Sequence, residues 1–142
     1  MYQKILIALE NSSADEALIE HVGKLATHFG SELLLLHVAD GWAARAFDQL
    51  KLTESEEMKA DRAYLEKIAG HFQTKKIAAH TKLALGNPPN EILKTAEAEH
   101  CDLIAMAGHG HRLFGDIFHG STITEVRHKT TIPLLIVRAK KK

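Results

Sequence analysis

Gly108, Gly110 and Gly120, with the hydroxyl residues Ser121 and Thr122, are the residues whose types and spacing offer chemistry. They lie in Ala107-Gly108-His109-Gly110 … His119-Gly120-Ser121-Thr122, which follows the apolar run Leu103-Ile104-Ala105-Met106. Glycine lacks the Cβ that holds other backbones away from a ligand. Successive backbone N–H groups leading into a helix form an anion cradle, and the partial positive charge at the helix start adds to it. Ser121 and Thr122 can donate hydroxyls as well as N–H groups, and Arg112 can add a cation. The chemistry expected here is phosphate binding. The same glycines also suit a tight turn with close helix packing, and spacing alone does not separate the two. Two better-known phosphate loops are excluded. The chain has no Gly-x-x-x-x-Gly-Lys-Ser/Thr run, and Gly-x-Gly-x-x-Gly fails because the glycine after Gly108 and Gly110 is Gly115.

Ten histidines is a high count for this length, and His109, His111 and His119 fall in or beside the loop. No two-His helical pair with a third ligand and no Cys pair accompanies them, so solvent-facing or phosphate-adjacent imidazoles are expected and no metal. His37, inside an apolar run, reads as a satisfied core or cleft residue. Cys101 is the single cysteine, which excludes an internal disulfide; it reads as a small buried residue. The serines have no Ser-His-Asp context, and cap roles account for them. No catalytic residue is nominated.

The elements that must position the loop alternate in type. Ile5 to Leu9 is a short apolar run without alternation, as in a strand buried on both faces. A helix follows, opened by a capping box of Ser13 and Glu16 and closed by Gly30. Leu33 to Val38 is a second strand. After Asp40-Gly41 comes an irregular stretch with Trp42, Phe47, Leu50 and Leu52. Thr53 and Glu56 make another capping box, before a helix carrying Met58, Tyr64, Leu65, Ile68, Ala69 and Phe72, with Asp61 on the face where an apolar residue belongs. Ile77 to Leu85 is a third, wetter strand. Asn87 caps a third helix with Pro88 at its first position, running to His100. Leu103 to Met106 is the fourth strand, Ser121 to about Thr130 the fourth helix with Ile123 and Val126 inward, and Pro133 to Val137 the last strand. This alternation predicts a single doubly wound α/β domain over residues 1–142, a five-stranded mainly parallel sheet flanked by four helices. Ligands of such sheets sit at the carboxyl ends of strands, here Glu10-Asn11-Ser12, Ala39-Asp40-Gly41 and Ala107-Gly108-His109-Gly110.

Bulk properties narrow the partners. A chain of 142 residues fits one domain. Eighteen basic and eighteen acidic residues cancel, which argues against a nucleic-acid binder. No run approaches the roughly 20 apolar residues of a membrane span. No membrane partner and a cytoplasmic location are expected.

At the glycine loop the chain resembles the universal stress protein family. That signature is Gly, two residues, Gly, nine residues, Gly, then Ser or Thr; Gly110, nine residues, Gly120 and Ser121 match it. Ile5 to Glu10, His37-Val38, Gly86-Asn87-Pro88 and Pro133 to Val137 also have counterparts, so the resemblance covers essentially the whole chain. It implies a Rossmann-like fold of the adenine-nucleotide hydrolase type. It implies that Leu9 and Glu10 at the end of strand one lie near adenine or ribose, and that backbone around Val38 contacts adenine. By the resemblance Ala107, His109, Gly110, Gly120, Ser121 and Thr122 would hold ribose and phosphates; Gly108, His111 and Arg112 join them as candidates from the loop's own composition. The ligand implied is ATP, or AMP or ADP, with Mg²⁺ as a possible companion. Members typically form homodimers, often through the last strand, here Ile132 to Val137; an apolar edge strand needs covering in any case. Ala107 stands where the signature has its first glycine, and Glu10 where the acidic residue is usually Asp.

Three functions follow as expectations. The first is a dimeric stress-response protein that binds an adenine nucleotide as sensor or regulator. The second is a dimeric interaction protein of the stress response that binds none. The third is a weak ATP hydrolase, which would need an activated nucleophile that the sequence does not name.

Overall fold

The computed structural model describes residues 1–39, 56–108 and 120–139, the side chains at 120 and 121 excepted. In chain order the elements are β1 (Lys4–Ala8), α1 (Asp15–Phe29), β2 (Glu32–Ala39), α2 (Glu56–Thr74), β3 (Ala79–Leu85), α3 (Pro88–Ala98), β4 (Leu103–Gly108), α4 (Gly120–Lys129) and β5 (Leu134–Arg138). The five strands form one sheet in the order β3-β2-β1-β4-β5. All four pairings are parallel. The doubly wound prediction is met.

Each sheet face buries one apolar set, because successive residues of a strand point to opposite faces. Ile5, Ile7, Leu33, Leu35, Leu103 and Ala105 pack with Leu18 and Val22 of α1 and Leu65, Ala69 and Phe72 of α2. Leu6, Ala8, Leu34, Leu36, Val38, Ile104 and Met106 pack with Ile92 and Ala96 of α3 and Val126 of α4. β4 is buried from end to end and β1 from Ile5 to Ala8, which explains their uninterrupted apolar runs.

Several boundaries differ from the sequence-based expectation. The Ser13–Glu16 capping box does not form: α1 starts at Asp15, and Ala14 at its N-cap makes no side-chain cap bond. The Ser12 and Ser13 carbonyls already accept from the Asp15 and Glu16 N–H groups in tight turns. β3 begins at Ala79 rather than Ile77, because the Ile77 N–H bonds back to the Phe72 carbonyl and closes α2 through a left-handed Lys76 at φ 63°. α3 ends at Ala98 rather than His100. His100, at φ 57°, takes the left-handed position of a C-terminal cap, and the Cys101 N–H returns to the Ala96 carbonyl. β4 runs on through Ala107 and Gly108, so both are strand residues and not loop. Gly30 does close α1, at φ 68°, and the Asn87 side chain does cap α3, accepting from Asn90 N–H at 3.2 Å. The stretch from Asp40 to Leu52 and the Thr53 cap lie outside the described residues.

Candidate functional site

The sheet reverses its winding between β1 and β4. Going outward from β1, chain order runs to β2 and β3 on one side and to β4 and β5 on the other. A crevice is expected outside the carboxyl ends of the strands at that point. Ala8 pairs with Met106 and with Leu36. The residues that follow these three, Leu9-Glu10, Ala107-Gly108 and His37-Val38-Ala39, are therefore brought to one end of the sheet.

Leu9 and Val38 are fully buried, and each adds its side chain to a core face. Both backbone polar groups of Leu9 are engaged within the fold: its N–H donates to the Leu36 carbonyl at 2.8 Å, and its carbonyl lies 2.7 Å from His37 Nδ1. Glu10 is buried at the end of β1, with 6% of its surface exposed.

A carboxylate from α1 holds the turn after β1. Asp15 Oδ1 and Oδ2 accept from the Glu10 N–H at 3.0 and 3.2 Å, and Oδ2 accepts from the Asn11 N–H at 2.9 Å. The Tyr64 hydroxyl donates to the same Oδ2 at 2.7 Å. Asn11 sits in the left-handed region at φ 62°, which a short polar side chain tolerates. Consecutive N–H groups around such a residue form an anion nest. Asp15 fills this one from within the protein, so the turn after β1 is not free to take a phosphate. Burial pushes the Asp15 carboxyl above the ordinary carboxylate range, and the donors around it pull part of the way back. Burial and the neighbouring Asp15 charge raise the Tyr64 phenol far above its ordinary range, so Tyr64 stays a donor.

A second carboxylate reaches the same turn from α2. Asp61 Oδ2 lies 3.2 Å from His37 Nε2, and Asp61 Oδ1 accepts from Asn11 Nδ2 at 2.9 Å. This accounts for the acidic residue on the apolar face of α2. His37 is the satisfied histidine expected from its setting. Sequence reasoning brings Asn11 to the site only as part of the strand end Glu10-Asn11-Ser12 and does not bring Asp15 or Tyr64 there; for Asp61 the signal is the break it makes in the α2 stripe.

On the other side of the switch point, Ala107 is fully buried in the α1–α2 core face. Gly108 ends β4 against β5: a Cβ there would come 2.7 Å from Ile136 Cγ2. Close packing therefore requires this glycine whether or not a ligand approaches. α4 starts at Gly120 and buries Thr122. Its first N–H groups have no partner in the preceding turn of the helix. His109, Gly110, His111, Arg112 and His119 lie outside the described residues. Among the described residues no group of three His, Cys, Asp or Glu could hold a metal ion. Nor is any described helix long and apolar enough to cross a membrane.

At the amino ends of the strands, Cys101 is buried and its thiol is pushed up to about 11, chiefly by burial. Asp102 accepts there from the backbone N–H groups of Gln3 and Lys4. That end of the sheet is remote from the crevice and built as structure.

Comparison with known proteins gives one consistent result. The model of the universal stress protein family matches residues 1–138. Universal stress protein MJ0577 of Methanocaldococcus jannaschii is 30% identical over an alignment covering 99% of this chain and 97% of its own. A solved structure of MJ0577 superposes with a TM-score of 0.79 at 28% identity, covering 100% of this chain and 99% of the other. The Archaeoglobus fulgidus universal stress protein in complex with dAMP gives a TM-score of 0.72 at 18% identity, covering 96% and 98%. A universal stress protein in complex with cAMP gives 0.70 at 14% identity, covering 98% of each chain. The last two likenesses concern the fold.

Proposed function

This chain belongs to the universal stress protein family, and from that premise we propose that it is a stress-response protein that binds an adenine nucleotide at the β1/β4 switch point. The observation that carries the reading is the construction of that point. Glu10, Val38 and Ala107-Gly108 converge at one end of the sheet, and the helix α4 starts at Gly120, its amino end carrying the partial positive charge that favours an anion. The nest beside Glu10 is already filled by Asp15, so an incoming phosphate is left the β4–α4 side. The nucleotide would then lie with adenine and ribose near Leu9, Glu10 and Val38. Its phosphates would rest on His109, Gly110, His111, Arg112, Gly120, Ser121 and Thr122. Two proteins of the same fold carrying dAMP and cAMP support an adenine ligand. ATP, with or without Mg²⁺, is the member of that class this site would take in the cell, the cytoplasm being the proposed location. Glu10 in place of Asp brings its carboxylate one methylene further into the base end.

The same reading includes a homodimer through the stretch Ile132 to Val137. β5 is an edge of the described sheet, and Ile136 on it is 42% exposed. The opposite edge, β3, carries exposed His80 and Lys82 in the manner of a protected edge. On β5 the residues Leu134 to Val137 are apolar and the one charge, Arg138, stands at the strand's end, so its edge is suited to pairing with its copy.

Retention and titration test the nucleotide. Purified protein is denatured and the supernatant examined for adenine nucleotide, and the stripped protein is titrated calorimetrically with ATP, ADP, AMP and cAMP, with and without Mg²⁺. Copurified nucleotide or a saturable heat is expected, and Gly120→Val should abolish it. No nucleotide and no heat up to millimolar ligand would leave the interaction-protein reading in its place. Sedimentation tests the dimer: Ile136→Lys should give monomers, and an unchanged dimer would remove β5 from the interface.

A further inference from the structure

His37 and Asp61 are buried partners in a place that the proposed nucleotide contacts do not use, and their geometry demands a hydrogen between them. The Leu9 carbonyl only accepts, so the 2.7 Å contact to it puts a hydrogen on His37 Nδ1. The ring's other nitrogen, Nε2, faces Asp61 Oδ2 at 3.2 Å. An imidazole lone pair against a carboxylate would repel, and both side chains are at least nine-tenths buried, so water does not relieve it. One hydrogen therefore lies in the Nε2–Oδ2 contact, either on an imidazolium or on the carboxyl group. The other oxygen of Asp61 accepts from Asn11 Nδ2.

These contacts form a chain that ends on the site. Asp61 stands on α2, and His37 on β2 holds the carbonyl of the residue before Glu10. Asn11, held by Asp61, is the residue after Glu10. Glu10 is thus clamped on both sides through a single carboxylate, while Asp15 grips its own N–H. We propose that Asp61 is a positioning residue for nucleotide binding: acting through His37 and Asn11, it fixes the backbone from which Glu10 faces the adenine end. The assignment of a ligand to that end rests on the function proposed above; the clamp on Glu10 does not.

The test uses the whole protein, labelled with ¹⁵N, in three forms: wild type, Asp61→Asn and Asp61→Leu. The asparagine amide can donate to Nε2 and its carbonyl can still accept from Asn11, so this variant keeps the chain with a neutral link. Leucine has similar bulk and keeps neither contact. The wild-type His37 spectrum should show Nδ1 bearing hydrogen; an imidazole with hydrogen on Nε2 alone would overturn the proposal. The amide signals of Glu10 and Asn11 should move in Asp61→Leu and stay near wild type in Asp61→Asn. Adenine-nucleotide affinity should fall about tenfold in Asp61→Leu, the effect of losing a buried hydrogen bond of ordinary strength. It should return to near wild type in Asp61→Asn. Equal affinity in all three forms would sink the positioning role. If wild type binds no nucleotide, the functional reading fails, and the His37 and Glu10 signals still decide whether Asp61 clamps the turn. If Asp61→Leu does not fold, the wild-type His37 spectrum and the match of Asp61→Asn to wild type carry the decision.

Discussion

Gly108 lies so close to Ile136 that a β-carbon on it would stand 2.7 Å from the Ile136 Cγ2 methyl. The last residue of β4 and the exposed apolar residue of the edge strand therefore share one small space. Gly108→Ala must push β5 outward, and overpacking of this kind costs about 1–3 kcal/mol. Ile136→Ala should relieve most of that cost, since it removes the methyl that clashes. Urea unfolding of both single variants and the double variant measures the coupling; strictly additive effects would show that the two residues do not compete for space.

Asp15 makes stability depend on pH on the acid side. Its carboxyl is raised above the ordinary value of 3.8 by burial. Between that value and its folded-state value the folded protein binds more protons at this site than the unfolded chain, so this contribution to stability falls as pH rises through the window. Wild type should therefore gain stability relative to Asp15→Asn as pH is lowered from about 8 to about 4. Near neutral pH Asp15→Asn should still be destabilised, by about 1–3 kcal/mol, because an amide NH₂ would face the backbone donors of the turn. Unfolding midpoints measured across that range test both; a flat difference would show that the Asp15 carboxyl is not raised.

Asn87 stabilises α3 through a cap that can be removed without touching the core. Its side chain accepts from the Asn90 N–H at 3.2 Å. Asn87→Ala should cost about 1 kcal/mol and Asn87→Ser much less. Equal losses in the two variants, read from denaturant midpoints, would mean that the side-chain bond contributes nothing.

The Cys101 thiol should be inert in the folded protein. Its value of about 11, against 9.0 for an unperturbed thiol, leaves about a hundredfold less thiolate at neutral pH. Iodoacetamide should label it slowly in buffer and rapidly in denaturing urea. Fast labelling of the native protein would show that the site opens.

The inner strands β1, β2 and β4 were legible because they are buried on both faces. β1 and β4 read as unbroken apolar runs for that reason, and the parallel doubly wound sheet followed from their alternation with helices. Element ends were less legible. Ser13-x-x-Glu16 has the composition of a capping box, yet α1 begins at Asp15, whose side chain reaches back to the turn after β1. Lys76 and His100 close helices in the left-handed region, where composition alone favours glycine. The acidic residue at the end of β1 and the glycine that opens α4 could be found from local pattern, because each sits at a fixed offset from a strand or helix. The grip of Asp61 on the turn could not, since Asn11 and Asp61 are 50 positions apart.

The sequence by itself determined the class of fold and the family, and it singled out the loop proposed to take an anion, because each is written in local periodicity and short spacings. Only the tertiary structure decided which polar groups are already spoken for. Asp15 fills the nest after β1, Gly108 is needed by Ile136, and Asp61 meets His37, because parallel strands and their crossover helices bring distant residues within hydrogen-bond reach. A buried polar atom must find its partner wherever the fold supplies one, and that place is set by the packing of α1 and α2 on the sheet.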